Sequence, residues 1–145
     1  MGLDQYLSGA KKDRGILTNW EDVYSWRKAN EIHGYFSRLH EERTGSELEN
    51  CEKMLLYRAD IETMVERLKE AVESFYLDGD DSKAREWFPC TPGFFFGSYN
   101  MGSWYWHDLE DTAEKLQSLL DEGDFEETKY EDDMPYMYFK YYGWW

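Results

Sequence analysis

Cysteine and basic side chains are scarce in this chain. It has two cysteines, Cys51 and Cys90, and only 16 Lys and Arg against 31 Asp and Glu. Two thiols make no disulfide framework, and no secretory leader precedes them, so a reducing cytosol is the expected compartment. No apolar run approaches the roughly 18 residues of a membrane span. Gly2 is followed by Leu3-Asp4-Gln5-Tyr6, without the Ser/Thr that a myristoylation signal requires.

Chemistry-bearing patterns are equally sparse. The three histidines, His33, His40 and His107, fall in no Cys-x-x-Cys, His-x-x-x-His or His-Glu-x-x-His spacing. His33 and His40 would stand two helical turns apart, about 10 Å along an axis, too far to share one metal. There is no Gly-x-Ser-x-Gly elbow. Gly93, Gly97 and Gly102 match neither the phosphate loop nor the dinucleotide fingerprint. The expectation is a protein with no cofactor, no metal and no membrane segment.

Acid and aromatic residues are abundant. The net charge of −15 does not suit a protein that grips a phosphate backbone, so no direct DNA binding is expected; it favours solubility or a basic partner. Residues 1–72 carry −3 and residues 73–145 carry −12, an asymmetry that is itself a signal. With 7 Trp, 12 Tyr and 8 Phe, more rings are present than a small core needs. Each can bury about 150–250 Å², so some must lie at the surface, either half-buried as amphipathic rings or as a stacking or partner-binding surface.

Along the 145 residues, read as one domain, Leu3 to Leu7 predicts a short strand and Gly9 to Gly15 a basic turn. Thr18-Asn19-Trp20-Glu21 fits a capping box, and predicts a helix over 20–42 with Ala29, Ile32, Phe36 and Leu39 inward. Trp26, Asn30, His33, Ser37 and His40 would form a second stripe at the boundary of a cleft. Residues 51–57 predict a strand, and Asp60 an N-cap for a helix to about residue 77 ended by Asp78-Gly79. Residues 79–86 predict a polar loop. Gly93-Phe94-Phe95-Phe96-Gly97 predicts a buried strand, 106–121 a helix, and Pro135 to Tyr142 a strand. The alternation argues for an α+β fold: a small, mostly antiparallel or mixed sheet with about three amphipathic helices in a single two-layer domain.

Candidate site residues follow from placement. Trp26, Arg27, Asn30 and His33, with Phe95 and Ser98, could line a ligand pocket in which Arg and Asn hold an anion or a base edge and the rings supply walls. Residues 121–133 hold eight acids and one lysine. They either solvate the surface or, through Glu126, Glu127, Asp132 and Asp133, imitate nucleic-acid phosphates toward a basic groove.

Met1-Gly2-Leu3-Asp4-x-Tyr6-Leu7, Trp26-Arg27-Lys28-Ala29-Asn30-x-Ile32-His33, Gly93-Phe94-Phe95-Phe96-Gly97-Ser98 and Trp104-Tyr105-x-x-Asp108-Leu109 with Thr112 resemble a family of small phage and prophage proteins with no established activity. The resemblance spans the chain to about residue 120. It implies a phage-encoded protein acting in the cytoplasm of a bacterial host. Members of that family often carry Tyr-Asp-Glu before the Trp, where this chain has Asn100-Met101-Gly102-Ser103. Together these features predict a phage accessory protein that acts by binding, without catalysis, to a basic host protein or a small anionic or nucleotide ligand, and inhibits a host enzyme or defence. The alternative is a small nucleotide-binding protein or enzyme built on the Trp/Arg/Asn/His cleft.

Overall fold

The computed structural model describes residues 2–13, 16–17, 19–90, 101–122 and 135–145. Strands β1 (Asp4–Asp13), β2 (Ile16–Leu17) and β3 (Glu21–Arg27) come first. Helix α1 (Asn30–Thr44), strand β4 (Met54–Tyr57), helices α2 (Arg58–Asp78), α3 (Ser82–Trp87) and α4 (Ser103–Asp121), and strand β5 (Tyr136–Trp144) follow. β1 runs between β3 and β5, and β4 pairs with the far side of β5; every pairing is antiparallel. The short β2 pairs only with the end of β1 (Lys12↔Leu17). This is an α+β fold with helices packed on one face of the sheet.

Period-2 alternation builds the sheet. Along β5, Phe139, Tyr141 and Gly143 are buried, while Tyr138, Lys140 and Tyr142 are half-exposed and Trp144 exposed. Successive strand residues point to opposite faces, so one face meets the helices and the other does not. Along α2, Ile61, Met64, Val65, Leu68 and Ala71 form the buried stripe, at the spacing of one helical face. Along α4, Leu109, Ala113, Leu116 and Leu120 do the same. Phe75 stacks on Trp106 at 3.8 Å and closes the α2–α4 seam. Gly79 ends α2 with φ +65°, a conformation that an L side chain resists, and its N–H donates to the Phe75 carbonyl at 2.9 Å.

Four expectations are corrected. The helix over 20–42 is two elements: Glu21–Arg27 is a strand and α1 starts at Asn30. Lys28 adopts φ +57° between them, which no continuous α-helix allows, and its N–H donates to the Leu3 carbonyl at 2.7 Å. The basic turn expected at 9–15 is strand as far as Asp13, because Gly9 is held from both sides, opposite Phe139 and Glu21. Asp60 is the third residue of α2 rather than its N-cap; its carboxylate accepts the Tyr57 N–H at 2.8 Å from there. The polar loop at 79–86 contains α3, which buries Ala84 and pairs Arg85 with Asp81 one turn back. The strand expected at 93–97 lies outside the described residues. No described helix is long and apolar enough to cross a membrane.

Candidate functional site

The first turn of α1 sits over β1 and β5, where His33 meets Tyr141. Gln5 is fully buried, and its amide clasps the backbone ahead of the helix: Ala29 N–H donates to Oε1 at 2.9 Å, and Nε2 donates to the Ala29 carbonyl at 3.0 Å. The second Nε2 hydrogen goes to the Tyr141 hydroxyl at 3.2 Å. That hydroxyl lies 2.7 Å from His33 Nδ1. Burial pushes the His33 imidazole down to about 4, so the ring is neutral at pH 7 and its Nδ1 accepts the Tyr141 proton. A buried polar group left unpaired costs about 1–3 kcal/mol; the chain from Ala29 through Gln5 and Tyr141 to His33 leaves none of these groups in that state. The Trp145 ring packs edge-on to His33 at 4.8 Å, and a Cβ on Gly143 would stand 3.0 Å from the imidazole. Glycine is therefore the residue that fits there.

A second constellation joins α1 to α4. Trp26 Nε1–H donates to Thr112 Oγ1 at 2.8 Å. Beside it the Glu31 carboxyl, 3 % exposed, hydrogen-bonds the Asp108 carboxylate, and its Oε1 has no hydrogen-bond partner. Burial first, and the Asp108 charge second, push the Glu31 acid up to about 9, so Glu31 holds its proton at neutral pH. Burial also raises Asp108 above the ordinary carboxylate range. Burial raises the Cys90 thiol, which makes it a poor nucleophile.

Among the described residues, no helix lies over the opposite face of the sheet. In an antiparallel ladder directly paired residues share a face, so the register reads off the rows of this surface. Arg27, Asp4 and Trp144 form one row, and Ser25, Tyr6 and Tyr142 the next. Asp22, Ser8, Lys140 and Leu55 form a third, and Tyr138 with Tyr57 a fourth. Tyr6 stacks on Tyr142 with ring centres 5.1 Å apart, and Tyr57 meets Tyr138 edge-on at 5.7 Å. Lys53 lies over the Tyr142 ring at 5.7 Å and Lys140 over Trp20 at 4.2 Å. Trp144 is 54 % exposed, Tyr57 52 % and Leu55 45 %. Arg27, Lys53 and Lys140 stand here against Asp4 and Asp22, so this surface escapes the acidity of the rest.

The expected pocket residues are thus divided. Trp26, Asn30 and His33 are buried in the packing between helix and sheet; none of them lines the two cavities along α2 and α4 or the one bounded by Tyr35, Arg38 and Trp87. Arg27 is on the open face, 3.8 Å from Asp4. Phe95 and Ser98 lie outside the described residues, as do Glu126, Glu127, Asp132 and Asp133. Among the described residues no group of three or more His, Cys, Asp or Glu side chains is placed to hold a metal ion. Two features escaped sequence reasoning. The Glu31–Asp108 pair carries no local signal, since its members are 77 positions apart. The aromatic rows had one, the alternation of Tyr138, Lys140, Tyr142 and Trp144, but which side of the strand would be covered depends on where the helices pack. No family model, curated protein or solved structure matches the chain.

Proposed function

We propose that this chain is a phage-encoded binding protein that acts without a catalytic step on a host protein in the bacterial cytoplasm, blunting a host enzyme or defence, and that it recognises its partner through the open face of the sheet. The observation that supports this reading is the set of aromatic rows from Tyr6 to Trp144 with none of the described helices over them. Tyr and Trp lose little side-chain freedom on binding and dominate the energetic centres of protein interfaces. Lys53, Lys140 and Arg27 give the rim polar contacts that fix orientation. The net charge of −15 disfavours a nucleic-acid backbone as the occupant.

The test compares the wild-type chain with a Tyr57→Ser/Trp144→Ser variant. A host protein retained by the wild type is identified, purified and titrated against both. Retention at least tenfold weaker in the variant, at an unchanged melting temperature, is the expected result. Equal affinity would remove the sheet face from the mechanism.

A second reading, a small enzyme or a protein for an anionic or nucleotide ligand, draws on the Glu31–Asp108 pair, because a proton held between two carboxyls is a device for acid–base chemistry. A thermal-shift screen against nucleotides tests it. A true ligand at 100 times its Kd adds about 2.7 kcal/mol of stability, and no shift across the screen would count against it.

A further inference from the structure

We propose that the furrow between α2 and α4 is a docking site for a basic amphipathic helix of a partner protein, a second surface independent of the sheet face. Two adjoining cavities of about 600 and 390 Å³ lie along this seam and share Lys69, Gln117 and Asp121. From Arg58 to Glu73 the α2 wall runs 16 residues, about 22 Å from first to last at 1.5 Å per residue. Four turns of a helix fit that length.

The chemistry of the furrow selects the occupant. Its floor is the apolar edge of the core, where half-buried Val72 and the little-exposed Val65 of α2 face Ala113 and Leu120 of α4. Within each pair the residues are seven apart, two helical turns, so the floor presents the spacing that anchors at i and i+7 of a docked helix would meet. Its rim carries six carboxylates: Glu62, Glu66, Glu73, Glu110, Glu114 and Asp121. Lys69 donates to Gln117 Oε1 at 2.6 Å, and Arg58 donates to the Tyr136 carbonyl at 2.9 Å and pairs with Glu62. Two cations against six carboxylates leave the rim negative. An apolar stripe flanked by Lys or Arg complements such a groove, and an acidic helix is repelled by it. Among the described helices a second copy supplies no such stripe: α1, α2 and α4 carry net charges of −1, −3 and −4, and α3 has only six residues.

The test uses the full chain and a labelled 15-residue Leu/Lys peptide designed as an amphipathic helix. Saturable one-to-one binding that weakens as salt rises is expected, with slowed amide exchange at residues 65–73 and 110–121. Glu110→Lys/Glu114→Lys should weaken it at least tenfold without a change in melting temperature. Tyr57→Ser/Trp144→Ser should leave it intact, which separates this proposal from the sheet-face reading. Three results would overturn it: equal binding of a scrambled Leu/Lys peptide with no apolar stripe, indifference to the Glu110/Glu114 reversal, or exchange protection confined to β4 and β5.

Discussion

Tyr141 and Tyr142 are neighbours in β5 and chemically identical, yet the fold uses them in opposite ways. Tyr141 is wholly buried, stacked on Phe36 at 4.1 Å and hydrogen-bonded to Gln5 and His33. Tyr142 lies on the open face between Tyr6 and Lys53. The difference teaches that aromatic content here serves two tasks, and that the side of the sheet decides which. Inside, rings fill volume and their polar atoms must find partners. Outside, the rings stabilise little and keep their edges and hydroxyls available to a partner.

The largest effect should come from breaking the inner side. Tyr141→Ala removes a buried ring and leaves Gln5 and His33 without their hydroxyl, so a loss of about 3–5 kcal/mol is expected. Tyr142→Ala should cost about 1 kcal/mol or less, the scale of a cross-strand pair. Urea denaturation of both variants checks the ratio, and similar losses would erase the distinction between the faces.

Acidity sharpens the same comparison, because His33 and Glu31, both buried, sit on the helix side. His33 titrates at 6.5 unfolded and about 4 folded. The unfolded chain thus binds the extra proton between those values, and stability present above pH 6.5 is lost as pH falls through 4. The swing is on the order of 3 kcal/mol, at about 1.4 kcal/mol per pH unit. Glu31 has the opposite sign: its folded value, about 9, lies above the ordinary 4.5. The folded state keeps the proton longer, and stability falls as pH rises from 4.5 to 9. With respect to these two groups the maximum lies between about pH 4.5 and 6.5. Glu31→Gln should flatten the alkaline decline in a series of melting temperatures. A decline of unchanged slope in that variant would mean that Glu31 is not its source.

The smallest expected effect is on stability from the surface charges. Arg27→Ala removes an exposed ion pair with Asp4, and such pairs contribute about 0–1 kcal/mol. Its melting temperature should stay within a few degrees of the wild type while partner association slows, since rim charges act mainly on the on-rate. A large stability loss would assign Arg27 to the scaffold.

Much of this architecture is legible in the residues, and the failures have physical causes. α2, α4 and β5 carry their own periodicity, and Gly79 carries its own stop. Residues 21–27 misled because Thr18-x-x-Glu21 imitates a helix start and the spacing of Trp26, Asn30 and His33 continues the helical stripe backward. The strand forms because β1 offers a paired edge, and Lys28 turns the chain before α1. His33 and Asn30 read as cleft residues from their place beside the core stripe; no sequence pattern shows that Gln5 and Tyr141, 136 positions apart, close over that place.

If the open sheet face is the recognition surface, the buried packing between α1 and the sheet is scaffold and takes no part in binding. Site-specific photocrosslinking in host lysate tests it most directly, with the reactive group placed in turn at Tyr57, at Tyr142 and at the exposed α1 control Glu42. One discrete adduct is expected from positions 57 and 142, competed away by unlabelled protein, and none from position 42. Adducts of equal yield from all three positions, or from position 42 alone, would contradict it.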